Sequence, residues 1–392
     1  MILHGWLKEQ PVTLSLNRGV LTVAFDEGTV LAFDQVGRFL IFYAEGHHFH
    51  RSLNGNVLAK WIDKSIQQYR RLWRSEADLL VLRTCAMAQH LRDELVLEAD
   101  PELLVELTPI LDRAAAFDVV TARADVNRYN RVYEPIGIFP PDQRMALVVQ
   151  MTEGCPFETC AFCDFYQDRP FHVKSPRELR AHVKAIHTYL GDLVRMHQGI
   201  FIADANALVA PQGQLLELFD IVDQRFGKTQ ISTFLDGFSP QAKMAGDYAA
   251  LAERGLDRVY VNLESGHDPL LAWLRKSGQA ADAVATVQQI KAGQVSVGVV
   301  VMLGIGGQRY AEGHVADTIE AVNLMGLGQG DTLYLTEFMP LEAFRTVSSD
   351  APDLQPLPRS QMQAQREAIV AGLHFGDERP QIATCDISEF VY

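Results

Sequence analysis

Three cysteines fall within nine residues, in the run Cys155-Pro156-Phe157-Glu158-Thr159-Cys160-Ala161-Phe162-Cys163. Thiolates separated by four and then two residues can converge on one iron–sulfur cluster, and three of them leave the fourth iron open to an outside ligand. A structural zinc ion is the competing reading; it needs a fourth donor, which Asp164 or a distant histidine could supply. The chain has five cysteines in 392 residues, and an odd count with three clustered reads as a metal site in a reducing compartment rather than a disulfide framework. Cys85 and Cys385 read as small apolar core residues. His47, His48 and His50 form a second candidate metal group, with Glu45 as the nearby carboxylate, although a polar strand edge explains them as well.

The cysteines need a scaffold, and the pattern around them supplies one. The apolar run at 145–151 predicts a buried strand that leads directly into the cysteine loop. Ser175-Pro176-Arg177-Glu178 then reads as a capping box with proline at the first helical position. Leu179, Val183, Ile186, Leu190 and Leu193 mark the buried face of that helix. Further strands are expected at 199–203, 231–235, 258–263, 295–303 and 332–338, with helices at 211–226, from Ser239-Pro240 to Gly255, up to Ala292, and at 311–325. Six such units predict an α/β fold, a partial (β/α)6 TIM-like barrel over residues 141–345, with ligand sites at the C-terminal ends of the strands. An open doubly wound sheet is the alternative.

Residues 1–140 read as a separate N-terminal α+β domain. Alternation at Leu14/Leu16, Leu21/Val23/Phe25 and Phe39/Ile41/Tyr43 predicts a small antiparallel sheet, with turns at Asn17-Arg18-Gly19, Asp26-Glu27-Gly28 and Gly37. Helices are expected at 58–96, from the spacing of Leu58, Ile62, Ile66 and Tyr69, and at 101–118. Tyr129, Tyr133 and Pro140-Pro141 lie where a domain seam or a substrate wall would be. Residues 346–392 form a C-terminal extension: a proline-punctuated connector, a helix at 360–373 and a strand-like ISEFVY. A net charge of −14 argues against broad attraction to nucleic acid or anionic membrane. Apolar runs too short to span a bilayer, and a start without a leader pattern, place the protein in the cytoplasm.

From about 140 to 345 the sequence resembles the radical S-adenosylmethionine (radical SAM) superfamily. The usual pattern there has three residues between the first two cysteines; four, as here, occur in a subgroup with motifs like CPWNRCTFC. The resemblance implies a [4Fe-4S] cluster held by Cys155, Cys160 and Cys163, with S-adenosylmethionine on the open iron and Phe162 packed near the adenine. It implies that Asp204, Ala205 and Asn206 stand where a Gly/Glu-rich motif receives the methionyl amino group. It places Ser232 and Thr233 at the end of strand three, Glu264 and Ser265 near the ribose, and Gly304, Gly306 and Gly307 at the adenine edge. By their chemistry alone, Asn206 could instead cap the following loop, and Glu264 could pair with Arg275 or Lys276.

The implied function is an enzyme that cleaves S-adenosylmethionine reductively to a 5′-deoxyadenosyl radical, which abstracts hydrogen from a substrate. A flavodoxin- or ferredoxin-type electron donor is expected and no membrane partner. Substrates from a modified tRNA base, a peptide, a tetrapyrrole or a small metabolite all suit the pattern, the acidic charge weighing against RNA; a cobalamin partner has no recognisable binding domain. A zinc- or cluster-stabilised binding module and an electron-transfer protein without cofactor turnover are the alternatives from other classes.

Overall fold

The computed structural model describes residues 2–25, 28–97, 101–157, 159–238, 243–384, 386 and 392. Contacts divide the chain into two compact units: residues 1–135 with 185–197 and 388–392, and residues 136–184 with 198–387.

The first unit is built on an antiparallel meander: β1 (Ile2–Leu7), β2 (Gln10–Asn17), β3 (Val20–Phe25), β4 (Val30–Phe33), β5 (Phe39–Ala44), β6 (His47–Arg51), β7 (Val57–Asp63) and β8 (Ile66–Arg71). Helix α1 (Arg74–Glu94) follows; β9 (Leu95–Leu97) then returns to pair with β1, and α2 (Pro101–Ala115) and α3 (Val119–Tyr129) complete the unit. Alternation sets the register, for Leu14, Val23, Leu31 and Phe42 stand opposite one another on successive strands and are fully buried. Ala77, Val81, Ala88 and Leu91 of α1 and Leu107, Ile110 and Leu111 of α2 belong to the same core. At roughly 1.5–3 kcal/mol for each buried aliphatic or aromatic side chain, this layer is the main stabilising term of the unit.

The expected helix over 58–96 is corrected by the structure. Residues up to Arg71 form β7 and β8, and the helix begins at Arg74, where the Glu76 carboxylate accepts from the Trp73 amide at 2.8 Å. A spacing of four is even, so Leu58, Ile62 and Ile66 fit a strand face as well as a helix face. Ile62 and Ile66 are mostly exposed and supply no buried helical stripe. The turn at Asp26-Glu27 and the segment Ser239-Pro240 lie outside the described residues, as do Cys385 and all of ISEFVY except its last residue.

A buried ionic network joins parts of this unit. Arg38 donates from Nε and Nη2 to the Asp125 carboxylate, each at 2.7 Å, and from Nη1 to Asp34 at 3.0 Å. Arg128 and the Tyr189 hydroxyl also donate to Asp125, and the Asp34 carboxylate accepts from the amides of Val36 and Arg38. Burial opposes the Arg38 charge, but Asp125 and Asp34 outweigh it and raise its pKa.

The second unit is a parallel sheet in which strand and helix alternate. Its elements run β10 (Leu147–Gln150), β11 (Thr152–Glu153), β12 (His172–Val173), α4 (Pro176–Leu190, whose residues from 185 on belong to the first unit), β13 (Ile200–Ala203), α5 (Gln212–Phe226), β14 (Ile231–Leu235), α6 (Ala245–Ala252) and β15 (Leu256–Glu264). They continue as α7 (Asp268–Trp273), α8 (Ala280–Ala292), β16 (Ser296–Leu303), α9 (Gly307–Leu324), β17 (Thr332–Glu337), α10 (Glu342–Ser348), α11 (Arg359–Gly372) and β18 (Gln381–Ala383). Sheet order is β10-β13-β14-β15-β16-β17-β18, which is chain order throughout. The order never reverses, so the switch point of a doubly wound sheet does not arise among the described strands. The capping box at the start of α4 is present: Glu178 accepts from the Ser175 amide at 2.7 Å, and Ser175 Oγ accepts from the Glu178 amide at 3.4 Å. No helix among the described residues is long and apolar enough to cross a membrane.

Candidate functional site

The cysteine loop leaves the sheet at the end of β10 and is closed at its base by the antiparallel pair β11–β12, in which Thr152 faces Val173 and Glu153 faces His172. Lys174 pairs with Glu153 across this base. Gly154 takes a positive φ of 74°, and a side chain there would meet the Pro170 carbonyl at 2.8 Å, so the turn into the loop requires glycine. Asp204, one residue past β13, holds the same base. Its carboxylate accepts from Gln150 Nε2 at 3.0 Å, from the Gly154 amide at 3.1 Å and from Arg169 Nη2 at 3.1 Å, and its own amide donates to Thr152 Oγ1 at 3.0 Å. Burial raises its pKa against the pull of Gln150 and Arg169. Three donors of the chain hold this carboxylate at the base of the loop, and Asp204 does not line the cavity in which an ammonium is expected to meet it.

Above the sheet lies a cavity of about 140 Å³. Cys155, Cys160 and Cys163 all line it, together with Phe162, Ala205, Asn206 and Glu264, at the C-terminal ends of successive strands. On one side Cys160 and Cys163 pack against an apolar cluster that includes Phe162, Leu270, Leu274 and Ile305. The Ala161 amide donates to the Leu274 carbonyl at 3.0 Å, and the Phe157 amide donates to Cys155 Sγ at 3.4 Å. Burial pushes all three thiols up, Cys155 to about 11 and Cys163 to about 12. At neutral pH they carry protons unless an electrophile replaces them, as metal and cluster ligation does. Among the described residues, no three His, Cys, Asp or Glu side chains form a group that could hold a single metal ion in this conformation. The cysteines share a cavity rather than a compact one-ion cage. Cys85 fills a core position and donates to the Ala115 carbonyl.

The polar end of the cavity is organised by Lys276, a buried residue beyond α7 that motif reading singled out only as a possible partner of Glu264. Its ammonium lies 3.3 Å from Glu264 and 3.4 Å from Asp236, and over the rings of Phe238 and Phe162 at 5.1 and 5.7 Å. Burial opposes its charge, and Asp236 and Glu264 outweigh burial, so its pKa rises. Glu264 stands where β15 bulges, at a positive φ of 60° that a non-glycine residue adopts at a cost of order 1–3 kcal/mol. Burial raises the Glu264 pKa, and the charge on Lys276 opposes the rise. Its second oxygen, Oε2, has no hydrogen-bond partner. Asn206 accepts from the Asp236 amide at 3.2 Å through Oδ1, while its Nδ2 is unpartnered, as is Thr336 Oγ1. Three residues that line one cavity thus each carry a buried polar atom without a partner, the mark of a site that awaits a polar ligand.

Five expected contacts are placed elsewhere. Ser232 is a buried residue near the start of β14, and Thr233 donates to the Ile202 carbonyl at 2.9 Å; the strand runs on to Leu235, so its end is Asp236. Ser265 Oγ lies 2.8 Å from His314 Nδ1 and accepts from the His267 amide at 3.0 Å, outside the cavity lining. Gly304 donates to Gln365 Oε1 at 2.8 Å and has Met362 where a side chain would go. Gly306 caps α9 against Leu270 and Tyr310. These glycines serve helix packing and do not line the cavity. Pro140 and Pro141 do line it, whereas Tyr129 and Tyr133 stack on each other within the first unit. His48 faces Lys60 across the ladder, and partial burial with that charge lowers its pKa.

Comparison with known proteins bears on this site. The family model of the Radical SAM superfamily matches residues 149–321. Similar solved structures include the cobalamin-dependent S-adenosylmethionine radical enzyme OxsB, at 12% identity over 69% of this chain and 35% of that one, with a TM-score of 0.41. Coproporphyrinogen III oxidase (HemN) from Escherichia coli is 12% identical over 63% of this chain and 54% of its own, with a TM-score of 0.43. Methylornithine synthase (PylB) is 11% identical over 80% of this chain and 79% of its own, with a TM-score of 0.40. The chain spans about a third of the length of OxsB. No curated protein matches it by sequence. The matched residues 149–321 carry the cysteine loop, the asparagine and the glutamate of the cavity, and enzymes of the Radical SAM superfamily use a [4Fe-4S] cluster and S-adenosylmethionine.

Proposed function

We propose that this protein is a radical SAM enzyme that cleaves S-adenosylmethionine reductively and directs the resulting 5′-deoxyadenosyl radical to a hydrogen of its substrate. One observation carries the reading: the three cysteines of the loop share one cavity with three unpartnered buried polar atoms, on Glu264, Asn206 and Thr336. The donor set fits the group, since three thiols that burial holds protonated become good ligands once iron replaces the protons. Bound there, a [4Fe-4S] cluster supplies the electron for cleavage of a carbon–sulfur bond of the cofactor.

The chain's own residues bind, orient and shield. Cys155, Cys160 and Cys163 are the cluster ligands, on a loop whose base Asp204 and Arg169 fix. Glu264 Oε2 and Asn206 Nδ2 offer one acceptor and one donor for the polar groups of the cofactor, and Ala205 leaves room beside them. Lys276 pairs with both Glu264 and Asp236 and holds the two side chains at the polar end of the cavity. The apolar packing of Phe162, Leu270 and Ile305 keeps water from the cysteine side, which a radical reaction requires. In this reading the parallel sheet is a six-unit partial barrel, the electron donor is a flavodoxin- or ferredoxin-type protein, and the enzyme works in the cytoplasm.

The test is anaerobic reconstitution with iron and sulfide, followed by dithionite and S-adenosylmethionine. Formation of 5′-deoxyadenosine well above a Cys160→Ala control supports the proposal. Stoichiometric zinc in place of iron and sulfide, or cleavage that is unchanged by Cys160→Ala, overturns it.

A further inference from the structure

Below the cysteines the interior of the second unit is layered, because side chains two apart along a strand point the same way. Phe234 of β14, Tyr260 of β15 and Tyr334 of β17 form one layer that floors the cavity, with ring centroids 5.7 Å apart for Phe234 and Tyr260 and 6.2 Å for Tyr260 and Tyr334. Gly298 of β16 permits this floor: a side chain there would lie 2.6 Å from the Tyr260 ring and 3.3 Å from the Tyr334 ring. The Tyr260 hydroxyl is already engaged, donating to Asp142 at 2.6 Å and accepting from Gln143 Nε2 at 2.9 Å, so Tyr260 offers the cavity its ring.

Two residues further along the same three strands come Asp236, Asn262 and Thr336, which form a polar layer on the same cavity. Thr336 is buried and its hydroxyl is unpartnered. Charge in the cavity leans one way. Among its described lining residues Lys276 is the single cation, and of the carboxylates Asp236, Glu264 and Glu337 the last is exposed and paired with Arg359. Lys276 is itself held by Asp236 and Glu264. A phosphate or carboxylate binds well where a cation has free donors, and the cation of this lining is already engaged by two carboxylates.

Resting on the function proposed above, we infer that the substrate is a neutral or cationic molecule with a flat apolar face, which lies on the Phe234–Tyr260–Tyr334 floor with its polar edge at Asn262 and Thr336. Phosphorylated and carboxylated substrates are disfavoured because the one cation of the lining is already held by Asp236 and Glu264.

Three probes of one shape test this without turnover: 2-naphthylmethylamine, 2-naphthol and 2-naphthoate, titrated calorimetrically into cluster-reconstituted protein holding S-adenosylmethionine. The amine and the naphthol are expected to bind about tenfold or more tightly than the naphthoate, the scale of one unfavourable charge at close range. Gly298→Ala is expected to weaken naphthol by about tenfold through disturbance of the floor, with an unchanged circular dichroism spectrum. Should that variant fail to fold, Thr336→Val serves instead, and weakens naphthol while leaving naphthalene as in the wild type. Naphthoate binding as tightly as naphthol, or no probe binding while S-adenosylmethionine binds, overturns the inference. Probe selectivity that persists in a protein unable to form 5′-deoxyadenosine supports this inference and sinks the proposed reaction; formation of 5′-deoxyadenosine with no selectivity does the reverse.

Discussion

Arg38 and Lys276 are both buried cations, each set between two carboxylates, and their surroundings separate architecture from chemistry. Around Arg38 the partners are complete. Asp125 accepts from Arg38, Arg128 and Tyr189, and Asp34 accepts from Arg38 and two amides. Around Lys276 they are not, because Glu264 has an oxygen with no partner, sits at a positive φ and faces a cavity. A saturated network holds a fold; an unsaturated one holds free energy that a ligand can release. The geometry of the partners, rather than burial or charge as such, distinguishes the two.

The largest effect that would break this comparison is at Arg38. Arg38→Met leaves Asp34 and Asp125 buried without their cation and is expected to cost about 3–5 kcal/mol in urea unfolding. A loss below about 1 kcal/mol would show that the network is not structural. The next effect concerns acid. Burial lowers the His314 pKa to about 4, with His267 adding to the shift, so the folded chain resists a proton that the unfolded chain accepts near 6.5. Stability from this group is therefore fully present above pH 6.5 and falls away as pH drops toward 4. His314→Gln is expected to flatten that acid slope by no more than about 3 kcal/mol, read from unfolding at pH 7 and pH 4.5.

Smaller effects are expected at the incomplete network. Lys276→Met should cost about 1–2 kcal/mol of stability, less than Arg38→Met, because burial raises the Glu264 pKa and, without the cation, a proton can take its place. In the same variant, cofactor binding measured by calorimetry should weaken. Smallest of all, Glu264→Gln should change stability by less than about 1 kcal/mol in either direction while it weakens cofactor binding, the signature of a residue kept for function at the expense of stability. Equal stability losses in Arg38→Met and Glu264→Gln would erase the distinction between the two networks.

The parallel unit was largely legible from its pattern. Strand 231–235 and helix 212–226 fall where their apolar runs and the closing Gly227 put them, since each buries a whole strand or one helical face. The first unit was less legible. Leu58, Ile62 and Ile66 gave an even spacing that both periods accept, and only pairing with β6 decided for strand. The helix over Glu342–Ser348 and the strand Gln381–Ala383 are short and carry little pattern of their own. At the site, Cys155, Cys160, Phe162, Cys163, Ala205, Asn206 and Glu264 share the cavity, as their places after strands suggested. Asp236 directly follows the third strand, a place that by itself marks a site position in this fold. Lys276 could be read only as one of two candidate partners for Glu264, because it reaches the site by folding back over α7.

What the sequence by itself determined was the chemistry of the loop and the rhythm of its scaffold. Three thiols at that spacing, and apolar runs of strand and helix length, are local properties that a chain carries before it folds. Only the tertiary structure decided how the polar residues divide their labour. Asp204 and Glu264 are both carboxylates just after or at the end of a strand. Gln150, Gly154 and Arg169 occupy the first, while the bulge in β15 turns the second toward the cavity with one oxygen free. Whether an acceptor is taken or left open depends on groups brought together from distant parts of the chain, and no local pattern encodes that.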